Sequence, residues 1–168
     1  MKKWLKACRG TDAAEIAEFA IVLPILFFLI LAMFWVGQAY NISNNLNKAA
    51  TDGLAAALKN SCATCGNTAA SNVQIADAIE KAFQAGNLKP NSLQSFSPTP
   101  SCPSPLTSLT STSGVTYNVE VCTNLALWPG STITGTRVAM QYQMPVMSPV
   151  AAFRNLIVSA IVQGRPET

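Results

Sequence analysis

From Phe19 to Val36 the chain passes through eighteen residues without a charge, FAIVLPILFFLILAMFWV. No other stretch constrains the fold as strongly. Extended to residues 13–40, a helix would be about 42 Å long at about 1.5 Å per residue, enough to cross a hydrocarbon core of about 30 Å with some tilt. A buried core helix is the competing role. The segment is apolar on every face, however, and the rest of the chain is too small to surround it. A cleavable secretory signal needs a shorter apolar core followed by small residues. Gly37-Gln38-Ala39 loosely fits such a site, but the core is too long and no break follows. The run reads as a membrane span.

The flanks give the span a direction. Lys2, Lys3, Lys6 and Arg9 precede it, whereas only Lys48 and Asp52 follow it closely. Basic residues stay on the cytoplasmic side, so the N-terminus is expected in the cytoplasm and the rest of the chain is exported. Trp35 and Tyr40 fall where an outer aromatic belt would lie. Beyond Tyr40 the charges are scattered without a run, which reads as an ordinary solvated surface and gives no footprint for nucleic acid.

The chain has no histidine. That excludes Ser-His-Asp and Cys-His catalysis and removes the commonest transition-metal ligand. Four of the five cysteines, Cys62, Cys65, Cys102 and Cys122, follow the apolar run. In an exported domain they suggest two disulfides, whose pairing the spacing does not choose. Cys62-Ala-Thr-Cys65 also has the form of a redox motif, but it follows a helix and no βαβ pattern is present. A zinc site would want a second close pair, and Cys102 and Cys122 are far apart in sequence. No catalytic residue, metal ligand set or cofactor motif emerges.

No turn signal ends the span. In residues 41–59, Ile42, Leu46, Ala49, Ala50, Gly53, Leu54 and Ala57 recur every three or four positions and form one stripe of mostly small residues. The helix is expected to run over 13–60, with Asn60, Ser61 and Gly66 marking its end. The stripe can pack on the protein's own domain. Pro24 removes one backbone hydrogen bond inside the span and is expected to kink or loosen it. Glu15 and Glu18 share a helix face at the membrane edge. They can sit at headgroup level, where acids suit the helix N-terminus, or pair with a cation on another subunit.

Arg9-Gly10, then Glu18-Phe19-Ala20, then Pro24, then the Asn-rich stretch from Asn44 to Gly53 form a combined pattern. Over about the first 58 residues the chain resembles the TadE-like pseudopilins, minor pilins of tight-adherence or Flp-type pilus systems. The resemblance implies a non-enzymatic subunit of pilus biogenesis and adhesion, held in the bacterial inner membrane with its C-terminal domain in the periplasm. Incorporation into an extracellular pilus is left open. It also implies other pilin-like subunits as partners through the N-terminal helix, the pilus secretion machinery, and processing by a prepilin peptidase. That enzyme cuts after a Gly and leaves a Glu at the fifth mature position. A cut after Gly10 makes Thr11 first and Glu15 fifth. The Glu of the Glu-Phe-Ala motif is Glu18, however, which becomes fifth only after a cut behind Ala13. Both sites stay open. The residues implied in processing and assembly are Gly10, Thr11, Glu15, Glu18, Phe19 and Pro24.

The organisation expected is a leader over 1–12, the helix over 13–60, and a disulfide-bearing α+β domain over 61–168. In that domain, residues 71–84 read as a short amphipathic helix capped by Ser71 or Asn72. Val73, Ala76, Ile79 and Phe83 would form its apolar face, and Gly86 would stop it. Residues 87–113 are rich in Pro and Ser and read as a surface loop or extended excursion. Three strands follow: Val115 to Val121, Val138 to Met144, and the apolar run Leu156 to Val162, which reads as a buried strand. Trp128-Pro129-Gly130 and Ser148-Pro149 supply the turns. The expected sheet is antiparallel, roughly three-stranded, and covered by the helix stripe. Two other functions fit the sequence: a single-span protein whose exported domain binds a ligand or the cell wall, and a tethered thiol oxidoreductase using Cys62 and Cys65.

Overall fold

The computed structural model describes residues 11–58, 70–95, 102, 105–126, 134–145 and 155–165. The fold is α+β. Helix α1 spans Thr11–Leu58 and carries Pro24 inside it without ending there. Helix α2 is Asn72–Ala85, and a single 3-10 turn follows at Pro90–Ser92. The strands are β1 (Pro105–Leu106), β2 (Leu109–Thr110), β3 (Thr116–Tyr117), β4 (Glu120–Ala126), β5 (Thr134–Pro145) and β6 (Asn155–Gly164). The chain divides into two compact units, residues 1–38 and 39–168. Trp128-Pro129-Gly130, Ser148-Pro149 and the expected helix-end signals Asn60, Ser61 and Gly66 lie outside the described residues.

The larger unit is built on an antiparallel four-stranded sheet in the order β1-β4-β5-β6, with β2 and β3 forming a separate hairpin. The stripe on the second half of α1 covers one face. Leu46, Ala49 and Ala50 are fully buried, Leu54 nearly so, and Ile42 and Ala57 pack at the margin. They meet Val121, Val138, Met140, Tyr142 and Ala160 of the sheet, together with Ile75, Ala76, Ile79, Ala82 and Phe83 of α2. The small side chains allow the helices to approach closely. A Cβ added at Gly53 would stand 2.9 Å from Ile79 Cγ1, so only glycine fits there unstrained.

Helix α2 begins as expected at Ser71. The Ser71 hydroxyl accepts from the Gln74 amide at 3.3 Å, and the Gln74 side chain accepts from the Ser71 amide at 3.2 Å, a reciprocal capping box. Its buried face differs from the expected one by a rotation. Val73 is 43% exposed, and Ile75 and Ala82 are buried instead. It ends at Gly86 as expected. Gly86 keeps an ordinary right-handed conformation, and Asn87, with φ 51, is the left-handed residue. The Leu88 amide donates to the Phe83 carbonyl and the Asn87 amide to the Gln84 carbonyl, a Schellman closure sealed by burial of Leu88 and Phe83.

Three further sequence expectations need correction. The Pro/Ser-rich stretch is not simply a surface loop, because Leu88, Leu93 and Leu109 are buried core residues and the stretch supplies β1 and β2. Its prolines and serines obscured three well-spaced leucines. The strand expected from Val115 to Val121 is two strands. Tyr117 pairs with Leu109 in the hairpin, whereas Glu120 to Ala126 joins the main sheet. β3 buries Tyr117 and exposes Thr116, whereas β4 buries Glu120, Val121 and Cys122 in succession. Finally, Leu156 to Val162 is not a buried strand. It lies in β6 at the sheet edge, with Leu156, Ile157 and Ile161 exposed.

Candidate functional site

The first half of α1 presents apolar side chains in every direction. Each residue from Glu18 to Ile30 is exposed, with Phe19 at 70%. Among the described residues this is the one helix long and apolar enough to cross a membrane. Its most apolar 18-residue window has a mean hydropathy of 2.8, and none of that window is buried. A core helix of a soluble protein would be mostly covered. An apolar surface left exposed in this way is the arrangement expected of a membrane anchor.

Five of the six residues implied in processing and assembly lie on this helix: Thr11, Glu15, Glu18, Phe19 and Pro24. Glu18 immediately precedes the uncharged run and is exposed, and Pro24 is exposed about 1.7 turns on. Gly10 lies outside the described residues, as do the side chains of Thr11 and Glu15.

In the sheet unit, Cys102 is joined to Cys122, while Cys62 and Cys65 lie outside the described residues. The bridge spans a sequence separation of 20, and loop closure of that length is worth about 3 kcal/mol in the chain-entropy account. Cys122 stands opposite Arg137 on the sheet face that turns away from α1. There the Arg137 guanidinium donates to Glu120 at 2.7 Å, with Glu120 fully buried. The scattered charges of the sequence read as a solvated surface, whereas the structure buries these two as a pair. The signal that could have found them is positional: Glu120 sits inside the alternation of Val119 and Val121, and Arg137 precedes Val138 at the centre of a strand. A buried pair of this kind contributes little net stability, but losing one partner is costly.

A clasp of carboxylates, also unforeseen, ties α2 to the β2–β3 hairpin. Asp77 accepts from the Thr112 amide at 2.8 Å and from its hydroxyl at 2.7 Å. Glu80 accepts from the Ser113 hydroxyl at 2.7 Å and from Gln84 at 3.2 Å. The turn that presents Thr112 and Ser113 depends on Gly114, whose φ of 84 suits glycine. The Thr112 bonds, amide first, hold the Asp77 carboxyl below its ordinary value of 3.8. Burial, and then the Glu80 charge, raise the Tyr117 phenol. The clasp borders a shallow cleft of about 240 Å³ lined by Asp77, Glu80, Lys81, Gln84, Thr112 and Ser113. Both carboxylates are engaged by the chain itself, which makes the cleft a structural joint.

Residues 13–54 match the family model described as TadE-like protein. The matched stretch is α1, including both its exposed apolar half and most of its buried stripe. No curated protein and no solved structure matches the chain. The match covers about a quarter of the chain.

Proposed function

We propose that this chain is a minor pilin-like subunit of a tight-adherence (Flp-type) pilus apparatus that acts in pilus biogenesis and adhesion. It is anchored by α1 in the bacterial inner membrane, with the N-terminus cytoplasmic and the sheet domain periplasmic. The observation that carries this reading is a coincidence of position. The family match falls on the same helix whose first half is apolar on all sides and exposed. Such a surface suits lipid first and neighbouring helices of similar subunits second. Without a hydrophobic drive between helices in lipid, close packing and polar pairing decide association. Glu18 supplies the polar element. A carboxylate at the edge of the apolar run is costly unless it reaches a cation. The new N-terminal amine of a processed neighbour would be such a cation and would fix the register of adjacent helices.

Mass determination of the mature N-terminus, with and without an active prepilin peptidase, tests this proposal. The expected result is a peptidase-dependent start at Thr11 or Ala14, corresponding to cuts after Gly10 or Ala13. An intact Met1 in cells with active peptidase would overturn pilin-type processing. Replacing Glu18 with Gln should leave membrane association unchanged and reduce recovery with other pilus subunits.

A further inference from the structure

Contacts along the second half of α1 set the direction in which the sheet lies. A Cβ at Gly164 would meet Leu58 Cδ1 at 2.8 Å and Leu54 Cδ2 at 3.0 Å, so the C-terminal end of β6 sits beside the end of α1. A Cβ at Gly53 would lie 4.0 Å from Val138 Cγ1, and Val138 pairs with Val162. Farther back, Asn45 Nδ2 donates to the Gly86 carbonyl at 3.4 Å, and the Lys89 amide donates to the Tyr142 hydroxyl at 3.3 Å. Strand β5 therefore runs back along α1. Its last pair with β6, Pro145↔Asn155, lies at the end of the domain from which the apolar half of α1 leaves.

Five residues of strand separate Val162 from Ile157, about 17 Å at about 3.3 Å each, which equals about eleven residues of helix. Counted back from Gly53, Ile157 comes level with about residue 42 and Leu156 with about residue 40. Tyr40, 70% exposed, is the ring at the expected outer aromatic belt.

Two observations at this level point to lipid. Leu156 is 41% exposed and Ile157 is 53% exposed, and as neighbours in a strand they lie on opposite faces of the sheet. The charges are also sorted along the domain. Asp52 adjoins Gly53, Asp77 and Glu80 flank Ile79, which packs on Gly53, and Glu120 pairs with Ala139, the neighbour of Val138. The described acids of the domain thus cluster near the level of Gly53. Lys89, exposed and joined to Tyr142, stands at the span end with no described acid beside it. The residues between Pro145 and Asn155, VMSPVAAFR, add one charge, Arg154, also basic. Apolar side chains with basic neighbours suit the boundary between headgroups and acyl chains.

We propose that this end of the sheet rests on the membrane surface that α1 leaves, with Leu156 and Ile157 at the acyl boundary and Lys89 on an anionic phospholipid headgroup. It takes from the proposed function only the membrane span. That span also names the occupant, because a bilayer entered by α1 at Tyr40 is already level with Leu156. Contact at a second point would fix the angle at which the domain stands on the membrane.

The test uses the full chain in vesicles of phosphatidylcholine and phosphatidylglycerol carrying a radiolabelled phospholipid. Photoreactive benzoylphenylalanine replaces Leu26, Ile157 or Ile161 singly. Ile157 and Ile161 share a strand, a face and more than half exposure, so the added ring leaves the core in place. Ile161 lies about 13 Å farther from the span. Illumination should give lipid adduct at Leu26 and at Ile157, the latter several-fold above Ile161. Lys89→Glu should lower the Ile157 adduct at least twofold, and less in phosphatidylcholine alone. Lys81→Glu, at an exposed lysine next to Glu80, should leave it unchanged. Equal lipid adduct at Ile157 and Ile161, indifference to Lys89→Glu, or an Ile157 adduct with protein in place of lipid would overturn the proposal. Lipid adduct at Leu26 in that case leaves the span standing, whereas its absence would overturn the span and the proposal together.

Discussion

Residues 11–38 and 39–58 form one helix, yet they use apolar side chains in opposite ways. In the first stretch apolar residues point in all directions, and almost every described one is exposed. In the second they are confined to a stripe, and that stripe is the centre of the core. The backbone is the same; the distribution of side chains around it differs. An all-round apolar surface has no preferred side on which to meet a small domain, and it is satisfied by a solvent that is apolar on all sides. A stripe of small residues has one such side and can bring α2 and the sheet close.

Leucine truncation should break this comparison most sharply. Leu46→Ala removes a fully buried side chain and should cost about 2–5 kcal/mol in domain unfolding. Leu26→Ala, on the exposed half, should leave the same denaturation curve within about 0.5 kcal/mol. An arginine reverses the sensitivity. Ile25→Arg should disfavour insertion by about 2.5–3.5 kcal/mol, read as chain lost from the membrane fraction, whereas Thr51→Arg should have no such effect. The two glycines of α1 sharpen the contrast on a smaller scale. Gly37→Leu places a side chain in open space, but Gly53→Leu must displace Ile79 and should cost about 1–3 kcal/mol by thermal unfolding.

The smallest effect concerns the clasp. Because the folded-state pKa of Asp77 is depressed, its stabilisation is complete above the ordinary value of 3.8 and is lost as pH falls below it through the folded-state value. The Thr112 amide resonance should follow that titration. Asp77→Asn should abolish the pH response and leave the four-stranded sheet intact.

The same contrast accounts for what the sequence made legible. The span, the stripe on the second half of α1, the Ser71 cap and the alternation around Val138 to Met144 are dictated by short-range periodicity. The elements that misled depend on partners distant in sequence. Val73 and Ile75 both suit an apolar face of α2, and only the position of α1 chooses Ile75. The Leu109–Tyr117 pairing depends on a hairpin hidden in a Pro/Ser-rich stretch. The Glu120–Arg137 pair is legible only when β4 and β5 are in register. In the candidate site, Glu18 and Pro24 were visible because their meaning lies in an apolar run. Asp77 and Glu80 were not, because Thr112 and Ser113 reach them from over thirty residues away.

The central claim is that one helix serves two solvents, lipid along its first half and its own domain along its second. Nitroxide labels placed singly at Leu26, Met33, Asn47 and Asp52 of the full chain in lipid bilayers test it directly, through their collision rates with oxygen and with a water-soluble nickel chelate. The account predicts oxygen-dominated collisions at Leu26 and Met33 and nickel-dominated collisions at Asn47 and Asp52. Nickel-dominated collisions at all four positions would contradict it.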